Sequence, residues 1–209
     1  MIAALALLQQ AVLPSIAQTR LRHRLERLGT VERVEVGALP ALKLAFGHAD
    51  RVTVRMRDST TGRAGLADLL ADTRQTDSLD ASVSALRLGP LTLRDVRLGK
   101  RGLRLAGQAS VGQADLDAAL PPGFTVAPVA SGGGVLVFAA TATLFGRTVS
   151  ARAFARARDG RLVVMPDVPF GDVLSLTVFS DPRVYVEGVG ARPTRDGFTL
   201  TARARLLGR

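Results

Sequence analysis

A chain of 209 residues with 47% hydrophobic side chains and a mean hydropathy of +0.21 has the length and composition of one folded domain, which excludes a disordered chain. The net charge of +10 comes almost wholly from arginine, because lysine occurs only at Lys43 and Lys100. Such a charge favours nucleic acid, anionic lipid or an acidic substrate as the partner. Cysteine is absent, which excludes disulfides and thiolate metal sites.

Residues 1–14 form an apolar segment, and the first charged side chain of the sequence is Arg20. The segment is too short and too interrupted for a membrane-spanning helix, which needs about 20 apolar residues. Ser15-Ile16-Ala17 resembles a signal-peptide cleavage site, although no basic residues precede it. We therefore expect a signal or anchor remnant, or the start of a helix, followed by a single domain over residues 15–209. An exported or membrane-associated protein is the corresponding expectation.

Residues 15–28 carry the spacing of an amphipathic helix, and Gly29 is a natural stop for it. The apolar stripe consists of Leu13, Ala17, Leu21, Leu25 and Leu28. The opposite positions hold Arg20, Arg22, Arg24 and Arg27. Such a helix packs its stripe against its own domain, lies on an anionic membrane, or does both. We expect these four arginines to meet an anionic membrane surface.

Beyond Gly29 the hydrophobic period changes from 3.6 to 2, which predicts antiparallel strands with one apolar face. Val52, Val54 and Met56, for example, alternate with arginine and threonine. Residues 135–145 are apolar on both faces and are expected to form a central strand, whereas residues 66–71 and 113–120 are predicted to form short helices. We predict an α+β fold in which one long, strongly curved antiparallel sheet wraps around the amphipathic N-terminal helix.

The sequence lacks the usual catalytic and nucleic-acid-binding motifs. No serine lies in a Gly-x-Ser-x-Gly turn, and Ser131-Gly132-Gly133-Gly134 lacks the Lys-Ser/Thr pair of a phosphate loop, which indicates a flexible turn. His23 and His48 lack metal-ligand spacing. One tyrosine and no tryptophan leave no stacking platforms for single-stranded nucleic acid. We expect no catalysis, no cofactor, no metal and no nucleic-acid partner.

Several segments carry a family resemblance through their order and spacing. They are residues 10–29, Val34-Glu35-Val36-Gly37-Ala38-Leu39-Pro40-Ala41-Leu42-Lys43-Leu44, Gly47-His48-Ala49-Asp50-Arg51-Val52-Thr53-Val54, Ala114-Asp115-Leu116-Asp117-Ala118-Ala119-Leu120-Pro121 and Val168-Pro169-Phe170. Together they extend over nearly the whole chain and resemble the LmeA-like phospholipid-binding family. The resemblance implies a tubular lipid-binding (TULIP-like) fold, in which a curved sheet wraps a long helix. It also implies phospholipid in an apolar groove and a place in the bacterial cell envelope.

The expected lipid site is an apolar groove between the helix and the sheet. Leu39, Leu42 and Phe46 are expected at its mouth, because they are too apolar for an ordinary exposed loop. The other lining candidates are Leu13, Ile16, Leu21, Phe124, Phe138, Phe145 and Phe170. The expected partners are a phospholipid or other acyl lipid and an anionic membrane surface. Two functions stay open, namely a module that holds acyl chains and a structural envelope domain whose closed core leaves no room for a ligand.

Overall fold

The computed structural model describes residues 18–23, 25–38, 48–60, 73–88, 90–118, 120, 122–144, 147–168 and 175–207, without the side chains of residues 142–144 and 147. Strands account for 73% of the described residues and helices for 11%, in keeping with the change to a period of 2 beyond Gly29. The helical residues are 18–23 and 25–26 (α1), Thr73–Gln75 in a 3₁₀ turn, and Gln113–Ala118 (α2). Among these residues no helix is long and apolar enough to cross a bilayer.

A seven-stranded sheet contains the first five and the last two of the twelve described strands. Its strands are β1 (Val31–Gly37), β2 (Ala49–Thr60), β3 (Thr76–Leu88), β4 (Leu91–Arg101), β5 (Arg104–Gly112), β11 (Val184–Thr194) and β12 (Gly197–Leu206). They are arranged in the order β1-β2-β3-β4-β5-β12-β11. All neighbours are antiparallel except β2 and β3, which are parallel. The chain therefore inserts its middle portion between β5 and β11 and returns to the same sheet.

That middle portion forms a second, five-stranded antiparallel sheet. Its strands are β6 (Phe124–Gly132), β7 (Val135–Leu144), β8 (Arg147–Arg158), β9 (Arg161–Pro166) and β10 (Leu176–Phe179). They follow the chain in the order β10-β9-β8-β7-β6, so β7 has a strand on either side. Two-residue turns with positive φ at both positions join β6 to β7 (Gly133, Gly134) and β8 to β9 (Asp159, Gly160).

The seven-stranded sheet separates apolar from basic side chains, as the period of 2 predicts. On its apolar side, a cluster around β1–β4 includes buried Val36, Val54 and Leu79. On its other side, ladder partners on all seven strands place nine exposed arginines on one surface, which we call the arginine face. They are Arg33, Arg51, Arg55, Arg97, Arg101, Arg104, Arg192, Arg203 and Arg205.

The two sheets meet where turns of the five-stranded sheet bind the free edge of β11. Val189 donates its backbone N–H to the carbonyl oxygen of Gly134 at 3.1 Å, and Val186 donates to that of Gly160 at 2.9 Å. Ala191 donates its N–H to the hydroxyl oxygen of Ser131 at 3.0 Å. An exposed strand edge invites pairing with other chains, so these bonds satisfy donors that would otherwise be open.

The predicted α+β fold, with one long antiparallel sheet curled around an amphipathic N-terminal helix, is wrong. The described residues are mostly strand and form two sheets, one of which contains a parallel pair. Leu21, Leu25 and Leu28 of the predicted stripe pack against the apolar side of the first strands. These three side chains pack against one part of one sheet, and their burial does not require strands that enclose the helix. The proposed division at residue 14 lies outside the described residues.

Candidate lipid-binding face

One face of the five-stranded sheet is apolar on every strand. Paired residues in a ladder point to the same side, and the register connects Pro128 with Phe138, and Phe138 with Ala153. The same alternation continues along β7 and β8, while a register shift between Pro128 and Ala130 of β6 brings Ser131 to the side of Leu136. This face, which we call the open apolar face, carries the described side chains Phe124, Val126, Pro128, Ser131, Leu136, Phe138, Ala140, Val149, Ala151, Ala153, Ala155, Ala157, Leu162, Val164, Pro166, Leu176 and Phe179.

The end of this face nearest the seven-stranded sheet is covered. Leu136 and Ala155 are buried together with Ala191 of β11. Phe138, Leu162, Val164, Val189 and Leu200 are packed around them. Burial of this apolar surface at about 25 cal/mol per Å² is the main force that holds the two sheets together. This part of the face therefore belongs to the protein core.

Away from that junction the same face opens to solvent. Phe124 is 40% exposed and Val149 is 55% exposed at this end. Leu176 lies on the edge strand β10, in the ladder row of Val164 and Ala155, and is 66% exposed. Ala140, Ala151 and Ala153 lie between the bulkier side chains and project little, so the surface there is low and apolar. Single exposed hydrophobic residues are ordinary, but a contiguous apolar surface indicates a binding site. The geometry offers van der Waals contact along the strands and few hydrogen-bonding groups, which suits a hydrocarbon chain.

The opposite face of the same strands is different in chemistry. Thr141 and Ser150 approach each other there, with 3.3 Å between their hydroxyl oxygens. Arg152 and Arg156 of β8 are exposed on it, whereas Val163 and Met165 of β9 are buried. The exposed side chains of β8 on that face are therefore polar, whereas β7 carries Val135 and Val137 there and is apolar on both faces, as its sequence predicts.

Two of the predicted lining residues lie on the same face of the five-stranded sheet, Phe124 at its exposed end and Phe138 beside its covered end. Phe124 and Phe138 lie on the open apolar face, although they come from different strands. Leu21 lies apart from them, since it packs against the cluster at the first strands. Leu13, Ile16, Leu39, Leu42, Phe46, Phe145 and Phe170 lie outside the described residues.

Three of the four predicted membrane-surface arginines are described, and all three are exposed. Arg22 donates to Glu26 at 2.9 Å, and this hydrogen bond is the main reason that the pKa of the Glu26 carboxyl is lowered. Arg20 and Arg27 are exposed near it, while Arg24 lies outside the described residues. The helix thus presents a basic surface on which the charge of Arg22 is balanced by Glu26.

Sequence reasoning missed the residues that make the site open. Val149, Ala151 and Ala153 alternate along β8, and that alternation predicts a strand with one apolar side. The pattern carries no information about whether the apolar side is covered, because coverage depends on the docking of β11 from a distant part of the chain. The high solvent exposure of Val149 and Leu176 could be found only in the structure.

A small group of polar side chains lies at the start of β2 and β3. His48, Asp50 and Asp77 offer ligand atoms within 4.8 Å of one another, and His48 Nε2 is 3.3 Å from Asp77 Oδ1. The Lys100 ammonium donates to the carbonyl oxygen of the adjacent Thr76 and interacts electrostatically with Asp77. The positive charge of Lys100 disfavours binding of a metal cation beside it. We therefore interpret the group as a His48–Asp77 pair next to a lysine.

The match to known families covers almost the entire chain. A sequence model of the LmeA-like phospholipid-binding family matches residues 6–205, and this confirms the family predicted from the ordered segments. Comparisons with curated proteins and with solved structures gave no significant match. An open apolar face and a family match over nearly the whole length lead to one assignment: the chain belongs to the LmeA-like phospholipid-binding family.

Proposed function

We propose that this protein is a non-catalytic phospholipid-binding protein of the bacterial cell envelope, and that it holds acyl chains on the open apolar face. The observation that carries the proposal is the partial exposure of a face that is apolar on all five strands. Membership of a phospholipid-binding family supports binding rather than catalysis. The apolar segment of residues 1–14 supports a location in the envelope. Fractionation of the native host tests that location, and recovery only from the cytosol would contradict it.

The dimensions of the face fit a hydrocarbon chain. Beyond the covered end, β8 extends from Ala153 to Val149 over four residue steps, which corresponds to about 13 Å. The hydrocarbon core of a bilayer is about 30 Å thick, so one acyl chain extends about 15 Å. Each methylene group removed from water contributes about 0.8 kcal/mol. A chain laid along β7 and β8 therefore gains substantial binding energy without any polar contact.

The alternative function is a structural envelope domain with a closed core. The exposure of Phe124 and Val149 favours the lipid-binding function, because a closed core would cover side chains on the apolar side of a sheet. A lipid-binding module predicts that these residues contribute to ligand binding and little to folding. A structural domain predicts that lipid recovery is independent of them.

An anionic membrane is the second proposed partner. Nine arginines share the arginine face, where the paired carboxylates are Glu35 and Asp80. The helix adds the exposed Arg20 and Arg27. A positive charge near an anionic bilayer contributes about 1 kcal/mol, so this surface draws the protein to the source of its lipid.

The apolar site is tested by replacing Val149 with Ser. We expect recovery of phospholipid from vesicles to fall several-fold, because a hydroxyl interrupts the apolar surface, while the thermal midpoint changes by less than about 2 °C because the side chain is exposed. Recovery is measured by lipid extraction of re-purified protein, and the midpoint by circular dichroism.

Leu103→Ser is the matched control. Leu103 is 49% exposed against 55% for Val149, but it lies in the turn between β4 and β5 on the other sheet. The control should recover as much lipid as the unmodified protein. Equal losses in both variants, or no loss in Val149→Ser, would place the acyl chains elsewhere.

A further inference from the structure

A cavity of about 300 Å³ lies on the β11–β12 hairpin, beside the turn that joins β6 to β7. It is lined by residues 131–134, 188–192 and 201–203. The register places Gly188, Gly190, Arg192, Thr201 and Arg203 on the same side of the hairpin. That side is the arginine face, so the cavity opens on the basic surface of the protein and away from the apolar core.

Glycines make the space. A Cβ atom on Gly190 would lie 2.9 Å from Ser131 Oγ and 3.1 Å from Thr201 Oγ1, and one on Gly188 would lie 3.0 Å from Gly134 Cα. Glycine within a strand often marks a place where a ligand or another backbone approaches closely. Here the missing side chains have two effects. Gly188 lets the β6–β7 turn approach β11 closely, and Gly190 leaves open space between the side chains of Ser131 and Thr201.

Arg192 and Arg203 lie at opposite ends of the cavity. Arg192 pairs with Thr199 and Arg203 pairs with Gly188, so the two positions are four residues apart along the hairpin, or about 13 Å. Gly190 and Thr201 form the pair between them. Within the part of the chain that the structure describes, neither arginine makes an ion pair or a hydrogen bond, and the lining contains no carboxylate.

We propose that this cavity binds the phosphate group of a lipid headgroup at a membrane surface, with Arg192 and Arg203 as its two cationic ligands. Guanidinium groups bind phosphate oxygens through paired, charge-assisted hydrogen bonds. The Ser131 hydroxyl accepts from Ala191 and retains its own hydrogen for a phosphate oxygen. The volume is at the lower end of the range for small-ligand sites, which suits a headgroup and excludes a whole lipid.

The position of the cavity favours a lipid that is still in the bilayer. The arginine face is the surface that an anionic membrane attracts, and the cavity lies on that face. The open apolar face belongs to the other sheet, so phosphate recognition here is separate from the acyl site and goes beyond it. The site orients the protein on phosphate-bearing lipids in preference to other anionic surfaces.

The test compares two double variants that each remove two positive charges from the arginine face. The cavity variant, Arg192→Gln with Arg203→Gln, removes both charged side chains from the lining of the cavity. The control variant, Arg51→Gln with Arg97→Gln, removes two exposed arginines that lie outside the cavity. We expect the cavity variant to bind phosphatidylglycerol vesicles about tenfold more weakly than the control variant, because charged hydrogen bonds are lost as well as net charge. Equal affinities in the two variants would overturn the site.

Soluble probes separate the possible sources of phosphate. Glycerol 3-phosphate should shift the amide resonances of Gly188 and Gly190, should fail to do so in the cavity variant, and should displace the protein from vesicles. Inorganic phosphate that saturates the cavity and leaves vesicle binding unchanged would overturn the headgroup assignment. Val149→Ser should keep the displacement by glycerol 3-phosphate, so failure of the acyl site and failure of the phosphate site give different results.

Discussion

Lys100 lies on the apolar side of the seven-stranded sheet and is only 1% exposed. Its ladder partners are Leu79 and Leu105, both buried, and its ammonium donates to the carbonyl oxygen of Thr76. Burial disfavours the charged form and lowers the pKa of Lys100, which the nearby Asp77 only partly offsets. A lysine at such a position is held by its hydrogen bond and by the packing of its methylene chain.

The lowered pKa predicts how stability depends on pH. Between the folded-state pKa and the ordinary value of 10.5, the unfolded chain binds more protons than the folded chain, so the free energy of unfolding rises with pH in that window. Lys100→Met removes the titrating group, so we expect this rise to disappear and the free energy of unfolding at pH 7 to increase by about 1 kcal/mol. Urea unfolding at a series of alkaline pH values measures both. A variant that is less stable at pH 7 and keeps the rise would show that Lys100 is not the cause.

At the scale of elements, the docking of the β8–β9 turn on β11 depends on one glycine. Gly160 has φ of +74°, and a Cβ atom there would lie 2.5 Å from the ring of Tyr185. Arg205 lies over the same ring, 5.0 Å from its centre, so the ring has little room to move. The turn, the ring and the arginine form one packed unit at the junction of the two sheets.

Substitution of this glycine should weaken the junction. We expect Gly160→Ala to lower the free energy of unfolding by about 3 kcal/mol, from an unfavourable φ and from displacement of Tyr185. Gly102→Ala is the control, because Gly102 has φ of +56° with nothing within 4 Å of the added Cβ, and it should cost only about 1 kcal/mol. Denaturant unfolding provides both values. If the two variants lose the same stability, the contact with Tyr185 contributes nothing.

The elements themselves were largely predictable, whereas their partners were not. The alternation of Val52, Val54 and Met56 and the turn at Asp159-Gly160 are local features, and strand and turn follow from them directly. The parallel pairing of β2 with β3 and the return of β12 beside β5 join segments that are separated in the chain, and periodicity says nothing about such pairing. The apolar stripe with Leu21 predicts burial of the helix but leaves its partner open, which is why the expectation of a helix wrapped by strands was wrong.

The candidate site shows the same division. Phe124 and Phe138 were chosen from the sequence as bulky apolar residues, and the register of β6 and β7 places both on the open apolar face. Leu21 was chosen on equal grounds but is part of a separate cluster. Side-chain type identifies what can contact a lipid, while the three-dimensional arrangement decides which apolar side remains exposed.

At the scale of the whole molecule, the two surfaces proposed to meet a membrane and a lipid lie on different sheets. The arginine face lies on the seven-stranded sheet, and the open apolar face lies on the five-stranded sheet. Attraction of the arginine face to a membrane should therefore be electrostatic and should weaken as salt is added.

We expect the protein to float with anionic vesicles at 0.1 M salt, where the screening length is about 10 Å. Most of this flotation should be lost near 1 M salt, where the screening length is about 3 Å. Equal binding to neutral and anionic vesicles would contradict the electrostatic part.

The central claim is that the folded protein carries phospholipid, and native mass spectrometry tests it most directly. Protein purified without detergent and incubated with phospholipid vesicles should show a bound mass that is released on collisional activation as an intact diacyl phospholipid, with less of it in Val149→Ser. A folded protein that shows only its unliganded mass after the same incubation would contradict the account and favour a structural domain with a closed core.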